Sequence, residues 1–388
     1  MVPFTEPAYV YVVDTCTVTQ MAAKKSRQIL HRARRLNPEA LIVAAGCFVQ
    51  AGGEEMPKDA ADLYIGNEDK PRLVQMVDEA MRDRMERTEA CGEIREEEPR
   101  EHTRAFLKIQ DGCRQYCSYC IIPYVRGPLR SKEPEEVLAE AKDLAARGYQ
   151  ELVLTGIHLS SYGRKGTFSD PGRQTTLGAL IGRLNETEGL TRIRLGSLEP
   201  GLITEEYLEE IAEADKLCPH YHLSLQSGCA KTLRSMNRRY TPEEYAGAVE
   251  LLRRFRPDTA ITTDLIVGFP GETREDFEES LAFLRQIGFS QVHVFKYSRR
   301  EGTAAAKRKD QVPEDVKHER SERAIEEARA LSERFASRFI GSVQNVLLEE
   351  RTERGWEGYT DHYIRTLVTT AEGAEIGRLS ENQIARVR

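Results

Sequence analysis

The 388-residue sequence predicts an α/β protein in three parts: an N-terminal parallel α/β sheet domain, a central partial (βα)6 barrel and a small C-terminal antiparallel β-barrel. Three observations carry that prediction. Apolar, β-rich runs alternate with amphipathic helical stretches through most of the chain. A stretch dense in charge interrupts the alternation once. Short β-like pieces with glycine turns close the sequence after one long charged helix.

The first part spans residues 1 to 81. VYVVDT (10 to 15), LIVAAGC (41 to 47) and LYIG (63 to 66) read as strands, with a helix from Ala22 to Arg35 between the first two. Cys16 and Cys47 fall just past strand C-termini, the edge of such sheets where ligands collect. Residues 82 to 103 are charged with almost no apolar periodicity and read as a linker, with Cys91 a bystander in it.

The barrel is expected over 104 to 310, with strand-like runs at AFLKIQ, ELVLTG, RIRLGS, HYHLSLQ, ITTDLIVGF and VHVFKYS. Thr241-Pro242-Glu243-Glu244 is a capping box with proline at the first helical position. Barrel enzymes keep their chemistry at the C-terminal strand ends. Polar residues gather there: Gly156-Ile157-His158, Ser197-Leu198-Glu199-Pro200, Gln226-Ser227-Gly228 and the GFPGE run from Gly268. A connecting helix over 311 to 340 leads to a β-rich tail at 341 to 388. There Trp356, Tyr359, Tyr363 and Arg365 fit either a small core or a surface that stacks single-stranded RNA.

Hydrophobic residues make up 40% and charged residues 31%, a soluble globular balance. No apolar run approaches a membrane span, and the opening MVPFTEPAYVYVVDT is no secretory signal. Eight cysteines without such a signal point to the reducing cytoplasm, where thiols serve metals. Net charge is −7, yet basic runs stand apart at 24 to 35, 234 to 240 and 298 to 309. Each run taken alone fits a solvated helix face, and segregated patches of this kind can also meet a phosphate backbone locally.

Cys113, Cys117 and Cys120 read C-x3-C-x2-C. Structural zinc would need a second knuckle or a distant fourth ligand. Arg114, Gln115, Tyr116 and Ser118 in the same loop disfavour a purely apolar core role. Three thiolates suit a four-iron cluster with one iron open to another ligand.

That spacing, with Tyr119 before the last cysteine, resembles the signature of radical S-adenosylmethionine (SAM) enzymes. Together with DTCTVT, AGCFVQ, LTGIHLSSYG, HLSLQSG and DLIVGFPGET, it resembles the radical SAM methylthiotransferases across nearly the whole chain. Thr17-Val18-Thr19 and Gly156-Ile157-His158 place it nearest the branch acting on threonylcarbamoyladenosine beside the tRNA anticodon. Sister branches act on isopentenyladenosine in tRNA or on a ribosomal-protein aspartate.

The resemblance implies a methylthiotransferase N-terminal domain, a radical SAM barrel and a TRAM-like RNA-binding tail. It implies a SAM-binding 4Fe-4S cluster on Cys113, Cys117 and Cys120, and an auxiliary 4Fe-4S cluster on Cys16 and Cys47. The glycine–cysteine turn supplying the first auxiliary ligand has no counterpart, so this chain is expected to be N-terminally short and that cluster incomplete. Tyr119, Gly156, Ser197, Glu199 and Gln226 are the expected SAM contacts, Glu199 as a ribose acceptor. The partners implied are tRNA, SAM and an electron donor such as a flavodoxin-type protein. A catalytically impaired tRNA-binding protein and a zinc-stabilised RNA module are the readings from other classes.

Overall fold

The computed structural model describes residues 4, 6–52, 60–85, 103–169, 175–369 and 379–388. Cys91 and residues 86–102 of the expected 82–103 linker lie outside them, while 82–85 close the helix Leu73–Met85 instead of opening the linker. The chain forms two compact units. One comprises residues 1–100, 119–127 and 298–307; the other comprises 101–118, 128–297 and 308–388.

In the first unit, strands β1 (Val10–Thr15), β2 (Leu41–Gly46) and β3 (Leu63–Ile65) form a parallel sheet with β2 central. β2 is buried on both faces, which explains its unbroken apolar sequence. The helix Gln20–Leu36 is capped by the Thr19 side chain, which accepts from the Ala22 N–H. It buries Leu30 and Ala33 in one core with Ile42 and Ala44. Thr15 pairs with Gly46, so Cys16 and Cys47 leave neighbouring strands at the same level.

The second unit carries the six expected parallel strands: β4 (Arg104–Asp111), β6 (Glu151–Gly156), β7 (Arg192–Leu195), β8 (His220–His222), β9 (Ala260–Val267) and β10 (Gln291–Lys296). The two-residue β5 (Arg130–Ser131) adds an antiparallel edge to β4. Sheets β5-β4-β6-β7 and β8-β9-β10 meet through single-residue bridges from Ile193 to Leu217 and Leu198 to Leu223, giving a curled half-barrel. The expected capping box is present: Thr241 and Glu244 satisfy each other's backbone N–H at the start of helix Pro242–Phe255. The connecting helix, Glu314–Ser337, buries Ala324, Ala328 and Leu331 in the barrel's own core. Its Arg320 ties down Glu272, whose carboxylate also accepts from the Gly268 N–H. Glu272, at a strand end expected to carry chemistry, is thus a structural brace.

Strands β11 (Gln344–Thr352), β12 (Gly355–Thr360), β13 (Arg365–Val368) and β14 (Ile384–Val387) form an antiparallel sheet in the order β13-β12-β11-β14. Trp356 belongs to its core with Val346, Leu348 and Val368, which settles one of the four tail residues. Tyr359 and Tyr363 stack on each other, and Tyr363 also stacks on His220. Arg104 lies over both rings. Arg365 is exposed and paired with Glu357.

This sheet is seated on the N-terminal ends of the barrel strands. Glu151, the first residue of β6, accepts from Arg194 Nε at 2.6 Å and Arg192 Nη1 at 3.4 Å, all three buried. The same guanidinium groups donate onward to the carbonyls of Asn345, Tyr359, Thr360 and Asp361. Arg192 Nη2 also pairs with the Asp361 carboxylate, so the buried charge is both paired and hydrogen-bonded. Among the described residues no helix is long and apolar enough to cross a membrane.

Candidate active site

The opposite ends of the strands carry the cysteine loop. It leaves β4 through Gly112, at φ +75°, and turns again at Tyr116, at φ +50°. The neighbouring 234–240 run holds it from below. Ser118 donates its N–H to the Met236 carbonyl and its hydroxyl to the Ser235 carbonyl, and the Asn237 amide donates to the Tyr116 carbonyl.

Arg238, from the same run, links the loop to the barrel. Its Nη1 donates to Cys117 Sγ at 3.4 Å, and its Nη2 to both Glu199 carboxylate oxygens at 2.8 Å. Its Nε donates to the Tyr240 hydroxyl at 3.1 Å. Burial pushes the Glu199 carboxyl up, and Arg238 opposes this. Burial also pushes the Cys113 thiol up, with Cys117 and Glu199 adding to the rise while the Gln115 N–H and Arg238 pull it down. A metal cation reverses that balance, because coordination removes the thiol proton outright.

A second brace runs through β4 and β6. The Gln110 amide donates to the carbonyls of Asp111 and Gly112, and its oxygen accepts from the His158 N–H at 2.7 Å. A Cβ at Gly156 would meet the Gln110 side chain at 2.9 Å, so this position requires glycine. His158 accepts at Nε2 from the Gln115 amide (2.9 Å) and faces the Ser161 hydroxyl at Nδ1 (2.6 Å). Burial, with Arg164 and Arg238 nearby, pushes it down to about 4. It is a neutral positioning residue for the loop.

Of the other expected SAM contacts, Ser197 is exposed beside Glu199. Gln226 is buried at φ +69°, its backbone paired between Asp264 and Ile266. Glu199, His158, Gln115, Ser160, Arg239 and Tyr240 line a 420 Å³ cavity at this mouth.

The first unit contains the remaining expected ligands. Cys16 is exposed and accepts from the Val18 N–H at 3.5 Å; Cys47 is buried, with the Asn67 amide 3.6 Å from its sulphur. Asn67 also donates to the Val125 carbonyl. Gly46, before Cys47, has φ +112°, and a Cβ there would press within 2.5 Å of Asp14 Oδ1. Tyr119 and Cys120 are half-buried in the 119–127 segment of this unit. Cys218 and Cys229 are buried. Arg238 was legible only as part of a basic run, and nothing in the sequence distinguished it from Arg239.

Residues 107–284 match the Radical SAM superfamily, and residues 1–66 match the uncharacterized protein family UPF0004. A threonylcarbamoyladenosine tRNA methylthiotransferase, MtaB of Bacillus subtilis, is 38% identical over 99% of this chain and 87% of its own length. The chain belongs to the radical SAM methylthiotransferase family. A tRNA-2-methylthio-N(6)-dimethylallyladenosine synthase of Clostridium botulinum is 37% identical over 89% of this chain and 78% of its own. Among solved structures, the radical SAM methyltransferase TsrM of Kitasatospora setae shares the fold at TM-score 0.59 and 16% identity. That match covers 78% of this chain and 65% of TsrM. As a member of the family the chain is a transferase, and membership implies a 4Fe-4S cluster and SAM. The C-x3-C-x2-C donor set suits that cluster: three thiolates, with N–H donors from Gln115 and Arg238 directed at their sulphurs.

Proposed function

We propose that this chain transfers a methylthio group to carbon 2 of N6-threonylcarbamoyladenosine next to the tRNA anticodon. The observation carrying this reading is the 38% identity along nearly the full chain to a relative named for that activity. Cys113, Cys117 and Cys120 would hold the SAM cluster, and Cys16 and Cys47 would contribute to an auxiliary one. When bound, the first cluster and SAM supply the radical that opens the carbon–hydrogen bond at carbon 2.

The chain's own residues do the positioning. Arg238 fixes Glu199, our assigned SAM ribose acceptor, against the cluster loop; Gln110 and His158 hold the loop's entry. Tyr119, Gly156, Ser197 and Gln226 complete the proposed SAM surroundings. The partners would be tRNA and a flavodoxin-type electron donor in the cytoplasm.

The test is anaerobic reconstitution, then reaction with SAM, reductant and anticodon-arm RNA carrying either threonylcarbamoyladenosine or isopentenyladenosine. Mass spectrometry of the digest should show the methylthio product from the first RNA. Product from the isopentenyl RNA alone would move the chain to the branch of its 37%-identical relative.

A further inference from the structure

The first unit contains a second cavity, of 690 Å³, that the cluster chemistry does not explain. Its volume lies in the range of small-molecule sites, about 300–1,000 Å³. Thr17, Phe48 and Ile121 line it, and each directly follows a cysteine assigned to a cluster. The other wall is the loop at 298–307, which supplies Arg299, Arg300 and Lys307 against one acidic residue, Glu301.

That loop is held in shape. Thr303 donates its hydroxyl to the Arg300 carbonyl at 2.7 Å and accepts from the Ala306 N–H. Gly302 turns at φ +82°. Arg299 Nε donates to the Ala306 carbonyl at 2.9 Å, which fixes the guanidinium plane at the wall. Arg300 is buried, its Nη2 donating to Thr17 Oγ1 at 2.6 Å. Thr17 is thus joined to the cationic wall, and it belongs to the Thr17-Val18-Thr19 motif on which the substrate branch was read.

We propose that this cavity binds the carboxylate-bearing threonyl arm of the modified adenosine, resting on the substrate reading given above. The apolar floor of Phe48 and Ile121 suits the arm's methyl group, and the three cations suit its carboxylate. The arm is attached at carbon 6, two bonds from carbon 2. Whatever grips it therefore sets where carbon 2 lies, so the cavity determines both substrate choice and register.

The probes are anticodon stem-loop RNAs carrying threonylcarbamoyladenosine, its carboxyl methyl ester, or plain adenosine. Binding to the full reconstituted chain is measured alongside product formation. Wild type should bind the free acid about tenfold tighter than the ester, about 1.4 kcal/mol. Arg299→Ala and Lys307→Ala should lower free-acid affinity to that of the ester, and Arg299→Lys should restore part of the preference.

The ester keeps every RNA phosphate. Equal binding of acid and ester by wild type would therefore show the cations serving the backbone, and would overturn the proposal. A preference that survives in both alanine variants would place the arm elsewhere and also overturn it. In those two cases methylthio product from the free acid leaves the substrate reading standing. Absence of that product, with product from isopentenyl RNA, would remove both.

Discussion

The two ends of the barrel use similar residues in different ways. At the bottom, one carboxylate, Glu151, is shared by two arginines, and their other N–H groups end on backbone carbonyls of the tail and, from Arg192, on the Asp361 carboxylate. At the mouth, one arginine serves one carboxylate, and its next nitrogen ends on a thiol sulphur. The bottom network closes on itself and joins two parts of the fold. The mouth network ends on Cys117, a residue assigned to chemistry. Placement of the last donor separates a structural ion cluster from a positioning one.

Replacing Cys113, Cys117 and Cys120 together by serine should break the mouth completely. Deoxyadenosine formation under reducing conditions should fall to the level seen without protein, and iron per chain should drop with it. Undiminished cleavage would remove the cluster assignment.

Breaking the bottom should cost stability instead. Glu151→Gln leaves Arg194 buried without a carboxylate and Arg192 with only that of Asp361, which costs about 3–5 kcal/mol. The denaturant midpoint should fall accordingly, while the folded fraction still cleaves SAM. An unchanged midpoint would show that the tail carbonyls and Asp361 satisfy the two guanidinium groups without Glu151. The same network makes deletion of 341–388 a poor probe of RNA binding, since it would uncover both arginines.

Each end also encloses a neutral histidine. Burial and nearby arginines push His220 well down and His158 to about 4. The unfolded chain protonates near 6.5, so between about 6.5 and 4 it binds protons that the folded chain does not. Stability should therefore fall as pH drops through that window, by about 3 kcal/mol for His158 at its lower edge. Anaerobic urea titrations at pH 7 and 4.5 measure this. His158→Gln should flatten part of the slope, and an unaltered slope would assign it to other groups.

Elements governed by local chemistry were legible in the sequence. The strand runs, the Thr241 capping box and the cysteine spacing each depend on residues close together in the chain, and each stands where it was read. Contacts across the chain were not legible. Trp356 and Tyr363 share one aromatic-rich tail, yet one fills a core and the other stacks on His220 at a strand start. The 119–127 and 298–307 segments read as parts of the barrel sequence but belong to the first compact unit. Glu272 and Glu199 both follow strands; only the positions of Arg320 and Arg238 assign one to bracing and the other to the mouth.

The finest test of the comparison is Arg238→Lys. Lysine keeps the charge but not the planar fork, so it cannot serve Glu199, Tyr240 and Cys117 in one geometry. A purely structural role, like that of the bottom arginines, would appear as lost stability with little change in turnover of the folded enzyme. A positioning role predicts the reverse: an unfolding free energy changed by less than about 1 kcal/mol, with turnover for SAM cleavage lowered about tenfold. KM for SAM should rise less than turnover falls, because the carboxylate remains and only its aim is lost. Arg239→Lys, at the next residue, which lines the mouth cavity without these contacts, is the matched control. If both lysine variants behave alike, Arg238 contributes only charge, and the mouth differs from the bottom in location alone.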